Sequence, residues 1–188
     1  LKIIDTGFKW KGSLSRRSKT QYIILHHRAG LGDVQSIHAT HISNGWSGIG
    51  YHFYVRKDGS VFRGRPISIV GAHCTGYNDN SIGVCFEGNF ESETMPDAQL
   101  NGGKELVSYL KGLYPDTEVK KHKDFQSTAC PGRNFPFEEI SKGEDEMTVE
   151  DAIEIIQAKT GLEDETIEFL LCYKYGEELL VKIAKAIA

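Results

Sequence analysis

The chain has 188 residues, of which 39% are hydrophobic and 26% charged, and a formal net charge of −4. That length suits one ordinary globular domain plus at most a small second one, and the apolar fraction excludes a disordered chain. No run of eighteen apolar residues exists to form a transmembrane helix, and four cysteines without a CxxC pair do not make a disulfide scaffold.

Strand and helix signals alternate along the first part of the chain. Tyr22–His26 (YIILH) is a short apolar run and reads as a buried strand. Asp33 is placed to cap a helix over Val34–Asn44, with Gly45 just beyond as a stop. Tyr51–Arg56 and Ser60–Arg63 flank Lys57-Asp58-Gly59, and Asp-Gly between strand-like runs is a strong hairpin signal. Ile82–Phe86 is another core strand. Pro96–Leu113 has helical spacing at Leu100, Leu106, Val107 and Leu110, weakened by Gly102-Gly103. Glu118–Lys121 reads as a short strand and Phe137–Ile140 as a helical turn. The alternation predicts an α/β domain, and the hairpin makes its central sheet mixed, flanked by helices.

A composition break falls at Ser141-Lys-Gly-Glu-Asp-Glu146, read as a linker over 141–147. Residues 1–143 carry 18 Lys and Arg against 14 Asp and Glu, a balance of +4; residues 144–188 carry 4 against 12, a balance of −8. No basic stripe or motif points to nucleic acid. Beyond the break the pattern is all-helical. Thr148-Val-Glu-Asp151 starts one helix, with Ile153, Ile155 and Ile156 as its apolar face up to Gly161. Asp164 is placed to cap a second, with Ile167, Leu170 and Leu171 on one face and Cys172 in the core. Gly176 punctuates it, and Leu179, Leu180, Ile183, Ala184 and Ile187 continue the spacing. Such a small helical module needs support from the first domain, from itself or from another copy.

Seven histidines stand out, and His122 with Cys130 eight residues on, inside HKDFQSTACPG, forms the informative pair. Imidazole and thiolate are preferred zinc ligands, and Pro131-Gly132 would fix a turn that aims the thiolate. A third ligand must come from elsewhere, and the end of the YIILH strand is well placed. His26 and His27 are neighbours there and point to opposite faces, so only one joins the pair, and spacing does not say which.

The segments LHHR (25–28), GIGYHF (48–53), the Asp-Gly at 58–59, SIGVCFEGNF (81–90) and HKDFQSTACPG (122–132), in this order over roughly residues 20–140, resemble the zinc-dependent amidase-2 family. That family holds N-acetylmuramoyl-L-alanine amidases, phage T7 lysozyme and animal peptidoglycan recognition proteins. The resemblance implies a Zn2+ ion held by His26, His122 and Cys130, with a fourth position open for water. Tyr51 would assist catalysis beside the metal, and so would Thr128, where some members carry Lys. His27, His73 and Asn80 are the candidate substrate contacts. Some relatives place a Glu where Cys85 stands, and Glu87 is the substitute within reach. The implied reaction is hydrolysis of the amide between N-acetylmuramic acid and L-alanine by a zinc-activated water. The shape, a catalytic domain over 1–140 and a helical module over 148–188, is similar to phage endolysins. The opening LKIIDTGFKWKGS has no apolar run of signal-peptide length, which leads to the expectation of synthesis in the host cytoplasm and action on the cell wall after release.

The alternatives are a bacterial autolysin or recycling amidase, and a peptidoglycan-binding protein without catalysis; the latter lack the metal-ligand cysteine that this chain has. Insertion into a membrane is not expected. The C-terminal helices would bind the cell wall or form a homo-oligomer, and their −8 charge opposes simple attraction to anionic wall polymers. His38 and His41, three apart on a helix, read as a surface face; Trp46 is a weaker groove candidate; Cys74 and Cys85 read as buried free thiols.

Overall fold

The computed structural model describes residues 1–143 and 147–187 and divides into two compact units, Leu1–Glu144 and Asp145–Ala188. The first unit is built on strands Ile3–Asp5 (β1), Tyr22–His27 (β2), Phe53–Val55 (β3), Val61–Arg63 (β4), Ser81–Phe86 (β5) and Glu118–Lys121 (β6). They form one sheet in the order β1-β4-β3-β5-β2-β6. Every pair is parallel except the β3–β4 hairpin, so the sheet is mixed as expected. Regular pairing in β3 is shorter than the predicted Tyr51–Arg56. Bonds from His52 N to Gly83 O and from Arg65 N to Tyr51 O continue it towards Tyr51.

Helices Val34–Ser43 (α1), Asp97–Leu113 (α2) and Phe137–Lys142 (α3) complete this unit. Asp33 caps α1, its carboxylate accepting from Ser36 N at 2.7 Å. The two faces of the sheet carry separate cores. Ile23, Leu25, Phe53, Val55, Ile82, Val84 and Phe86 pack with Leu106, Val107 and Leu110 of α2 and Ile140 of α3. Tyr54 and Cys85 pack on the other side with Val34 and Ile37 of α1 and with Ile49. Side chains alternate along a strand, so His26, in register with Cys85, shares the α1 face, and His27 goes to the α2 face.

The Gly102-Gly103 pair is a contact rather than a weakness. A Cβ on Gly102 would come within 2.5 Å of Gly59 O in the hairpin turn, and one on Gly103 within 2.7 Å of the Phe86 ring. The helix crosses the sheet closely only because both side chains are absent. The edge strand β1 carries no signal of its own in the sequence. Three residues are too short for a period-2 signal, and its partner β4 lies 58 positions downstream (Ile3 against Val61). Helix α3 runs on through Lys142, two residues into the segment read as a linker, and 144–146 of that segment lie outside the described residues.

The second unit contains Val149–Thr160 (α4), Asp164–Leu171 (α5) and Gly176–Ile187 (α6) around Ala152, Ile156, Ile167, Leu180 and Ala184. Thr148 and Asp151 form the reciprocal capping box, both bonds 3.1 Å, and Gly161 ends α4 at φ +70°. Two expectations are corrected. Asp164 is the first helical residue of α5 rather than its cap; Glu163 holds that place, and the Asp164 carboxylate accepts from Gln157 Nε2 at 2.7 Å. Cys172 is exposed, because α5 stops at Leu171 and the helical spacing that would have buried it ends there. Cys74 and Cys85 are buried free thiols. No helix among the described residues is long and apolar enough to cross a membrane.

Candidate metal centre

His26 arrives at the C-terminal end of strand β2, on the face away from α2. His122 starts a 3-10 turn, His122–Asp124, directly after the neighbouring strand β6. The chain then loops back. Asp124 accepts from Lys121 N (2.8 Å), Phe125 wedges against Tyr22 and Tyr77 (centroids 5.0 and 4.1 Å), and Lys123 N donates to Cys130 O (2.9 Å). This closure brings Cys130 under the end of β2, where its sulfur accepts from His27 N at 3.3 Å.

The result is convergence. One ligand atom each from His26, His122 and Cys130 lies within 4.8 Å of the others. His26 Nδ1 is 3.9 Å from Cys130 Sγ, and the two imidazole centroids are 4.3 Å apart. A tetrahedral zinc centre separates its nitrogen and sulfur ligands by about 3.5 Å, so the set fits zinc in both chemistry and spacing. No fourth His, Cys, Asp or Glu joins the group among the described residues. Burial, followed by His122 and His27, lowers the His26 pKa well below the ordinary imidazole range, and burial lowers that of His122. Both rings are therefore neutral, as ligands must be. Burial pushes the Cys130 thiol up to about 11, partly offset by the bond from His27 N.

His122 is the member of the group that lines a cleft of about 410 Å³, together with His41, Trp46, Tyr51, His73 and Thr128 among others, while His26 and Cys130 are buried behind it. The Tyr51 ring lies 5.2 Å from His26, and its phenol is held well above its ordinary pKa by burial, then by Cys85 and Cys130. Thr128 is exposed to the cleft; its oxygen accepts from Cys130 N (3.2 Å), leaving its proton free to donate.

The chain is similar to known proteins. The family described as N-acetylmuramoyl-L-alanine amidase, Amidase_2, matches residues 16–133. The chain belongs to this amidase family. Peptidoglycan-recognition protein SC2 of Drosophila melanogaster is 35% identical over 143 residues, which is 66% of this chain and 78% of that protein. The endolysin of Enterobacteria phage K11 is 33% identical over 130 residues, 64% of this chain and 86% of its own length. The solved structure of N-acetylmuramoyl-L-alanine amidase LysC from Clostridium intestinale is 43% identical with a TM-score of 0.73, covering 76% of this chain and 96% of that one.

Within the amidase unit, several predicted residues lie elsewhere than the sequence suggests. His27 is on the opposite face, stacked on Phe90, with Nδ1 accepting from Phe90 N at 3.2 Å. It does not line the cleft. Asn80 also lies outside the cleft, donating to Gln21 Oε1 at 3.0 Å. Asn78 lines it instead, and its side-chain oxygen accepts from both His73 N (2.7 Å) and Cys74 N (2.9 Å). Glu87, the candidate substitute acid, is buried, accepts from Gly32 N, Lys57 N and Arg56, and does not line the cleft. His38 and His41 are not an idle surface face: each Nδ1 accepts a backbone N–H from the approach to Tyr51, Ile49 N at 3.2 Å and Gly50 N at 3.0 Å. The His41 ring also lies against Trp46, tilted, with centroids 4.5 Å apart. The i, i+3 spacing of these histidines was visible in the sequence, but their acceptor role depends on where residues 48–50 return.

Proposed function

We propose that this protein is a phage or prophage endolysin that cleaves the amide between N-acetylmuramic acid and L-alanine in peptidoglycan, using a zinc ion held by His26, His122 and Cys130. The observation that carries the reading is the convergence of three neutral or anionic donors, His122 among them lining the cleft, with no fourth His, Cys, Asp or Glu in the group among the described residues. Three protein ligands and a free side are the pattern of catalytic zinc, whereas structural zinc is closed by four. Two neutral imidazoles and one thiolate would leave a bound zinc centre at net +1, and zinc so held would supply a Lewis acid and a water acidified to a pKa of about 7.

The chain's own groups do the remaining work. Tyr51 keeps its proton at any physiological pH and presents a hydrogen-bond donor to the scissile carbonyl oxygen as that oxygen gains charge. Thr128 offers a second hydroxyl proton from the opposite loop. His41 and Trp46 supply an apolar and aromatic wall for the substrate. The Tyr51 donor and the cysteine ligand together favour hydrolysis over recognition without catalysis.

For the second unit, the proposal is attachment to the cell wall. Phe169, Tyr173, Tyr175 and Leu179 are exposed, and Tyr173, Tyr175, Glu178 and Lys182 border a shallow cleft of about 580 Å³. Aromatic faces beside charged hydrogen-bonding groups suit a wall saccharide, and a tethered weak binder raises the local substrate concentration.

The test is to incubate purified cell wall with the protein and count new alanine amino termini. Release that a chelator abolishes and zinc restores is expected, with Cys130→Ser retaining no metal. Release that survives chelation, or new reducing sugars in place of amino termini, rejects the reading. Tyr173→Ala with Tyr175→Ala should lower cosedimentation with wall while leaving zinc content unchanged; a change in oligomeric state without loss of sedimentation would make the face a dimer contact.

A further inference from the structure

His73 lines the cleft without belonging to the group of three donors. His73 comes from the loop before β5, and its Nδ1 lies 3.0 Å from His26 Nε2, the nitrogen turned away from Cys130. We infer that His73 is a positioning residue for the metal site: it fixes the tautomer and ring orientation of His26 so that the His26 Nδ1 lone pair faces the ion. The inference rests on the zinc reading above and goes beyond it.

The direction of the chain of bonds follows from its far end. The Ser81 hydroxyl donates to Tyr77 O, and a carbonyl can only accept, so the single hydroxyl proton is used there. Ser81 Oγ therefore accepts from His73 Nε2, 3.4 Å away, and that nitrogen carries the ring proton. A neutral His73 then has its lone pair at Nδ1, and the bond to His26 requires the proton on His26 Nε2. His26 Nδ1 is left as a bare donor 3.9 Å from Cys130 Sγ. One backbone carbonyl, read through a hydroxyl and two rings, thus sets which nitrogen meets the metal. A ligand imidazole whose other N–H is bonded is both oriented and made more basic.

The surroundings are built to hold this ring. Asn78 accepts from the backbone N–H of His73 itself and of Cys74. The ring lies in a slot between two glycines: a Cβ on Gly83 would stand 2.5 Å from His73 Cγ, and one on Gly71 2.5 Å from His73 Cδ2. Gly83 is in the middle of β5, where glycine weakens a strand and marks a close approach. His52 closes the side, its Nδ1 accepting from Gly83 N at 2.9 Å and its ring 5.6 Å from that of His73.

The test measures zinc affinity of the full chain without substrate, by competition with a chromophoric chelator, and the visible spectrum of the cobalt-loaded protein. His73→Leu fills the slot but accepts no bond; it should lose about 10- to 100-fold in zinc affinity and alter the cobalt bands. His73→Gln can accept from His26 and donate to Ser81, and should recover most of that loss. Ser81→Ala, which does not touch His26, should lose affinity by a smaller factor. A thermal midpoint of each metal-free variant near that of the parent shows that the slot is still formed; if His73→Leu unfolds, the comparison of His73→Gln and Ser81→Ala with the parent decides. Zinc affinity unchanged in His73→Leu, with only the KM for wall altered, overturns the inference and makes His73 a substrate contact. A parent that takes up no zinc overturns the zinc reading and this one together.

Discussion

Cys130 shows how one residue couples metal uptake to pH. Burial holds it as a thiol far above neutrality, while burial keeps the rings of His26 and His122 uncharged. Of the three donors, only the cysteine must lose a proton to bind a cation. Zinc uptake at pH 7 should therefore release about one proton per ion, and affinity should rise about tenfold per pH unit between pH 7 and 9. Calorimetry in two buffers of different ionisation enthalpy measures this; release of two or more protons would mean that a histidine is charged in the metal-free site. Tyr51 makes a separate prediction. Its phenol is the donor placed beside His26 by the bonds from Ile49 and Gly50 to the α1 histidines. Tyr51→Phe should reduce turnover on purified wall by about 10²- to 10³-fold while zinc content stays at the parent level.

At the scale of elements, α2 offers a comparison within one helix. Gly102 has a backbone carbonyl 2.5 Å from where a Cβ would be, whereas Gly112 faces open space. Alanine is favoured over glycine in a helix by about 1 kcal/mol, so Gly112→Ala should stabilise the fold by up to that amount. Gly102→Ala should destabilise it by about 1–3 kcal/mol, because the helix must lift off the hairpin turn. Urea midpoints distinguish the two, and equal shifts would mean that the helix is free to move. The same geometry separates what is local in this element from what is not. The apolar spacing of Leu100, Leu106, Val107 and Leu110 identified the helix, since a periodic face is local information. The role of the glycines was hidden, since Gly59 and Phe86 approach from other elements. Strand β1 and the Asn78 bonds to the His73 loop were hidden for related reasons: one lacks length, and the other depends on how a turn closes.

For the molecule as a whole, the buried histidines set its response to acid. His52 is fully buried in the sheet, and burial pushes its pKa down to about 3, against about 6.5 in an unfolded chain. Between these values the unfolded chain binds a proton that the folded one refuses, so the stabilisation is complete above about pH 6.5 and is lost as pH falls towards 3. This group alone should cost roughly 2 kcal/mol between pH 7 and pH 5. Urea unfolding at both pH values, with chelator present so that metal loss does not contribute, checks the sign; a midpoint that does not fall would mean that His52 is charged or reaches water.

The amino-acid order by itself determined the mixed α/β class, the Asp-Gly hairpin, the caps of α1 and α4, and the rule that His26 and His27 cannot share a face. All of these depend on neighbours within about one turn or one strand, where period and turn chemistry act. Tertiary structure alone decided that His26 shares its face with the returning 122–130 loop, that Asn78 rather than Asn80 reaches the cleft, and that His38, His41 and His73 act on other residues rather than stand idle. Those outcomes depend on contacts between segments up to about a hundred residues apart, and a donor has no partner until the sheet has closed the distance.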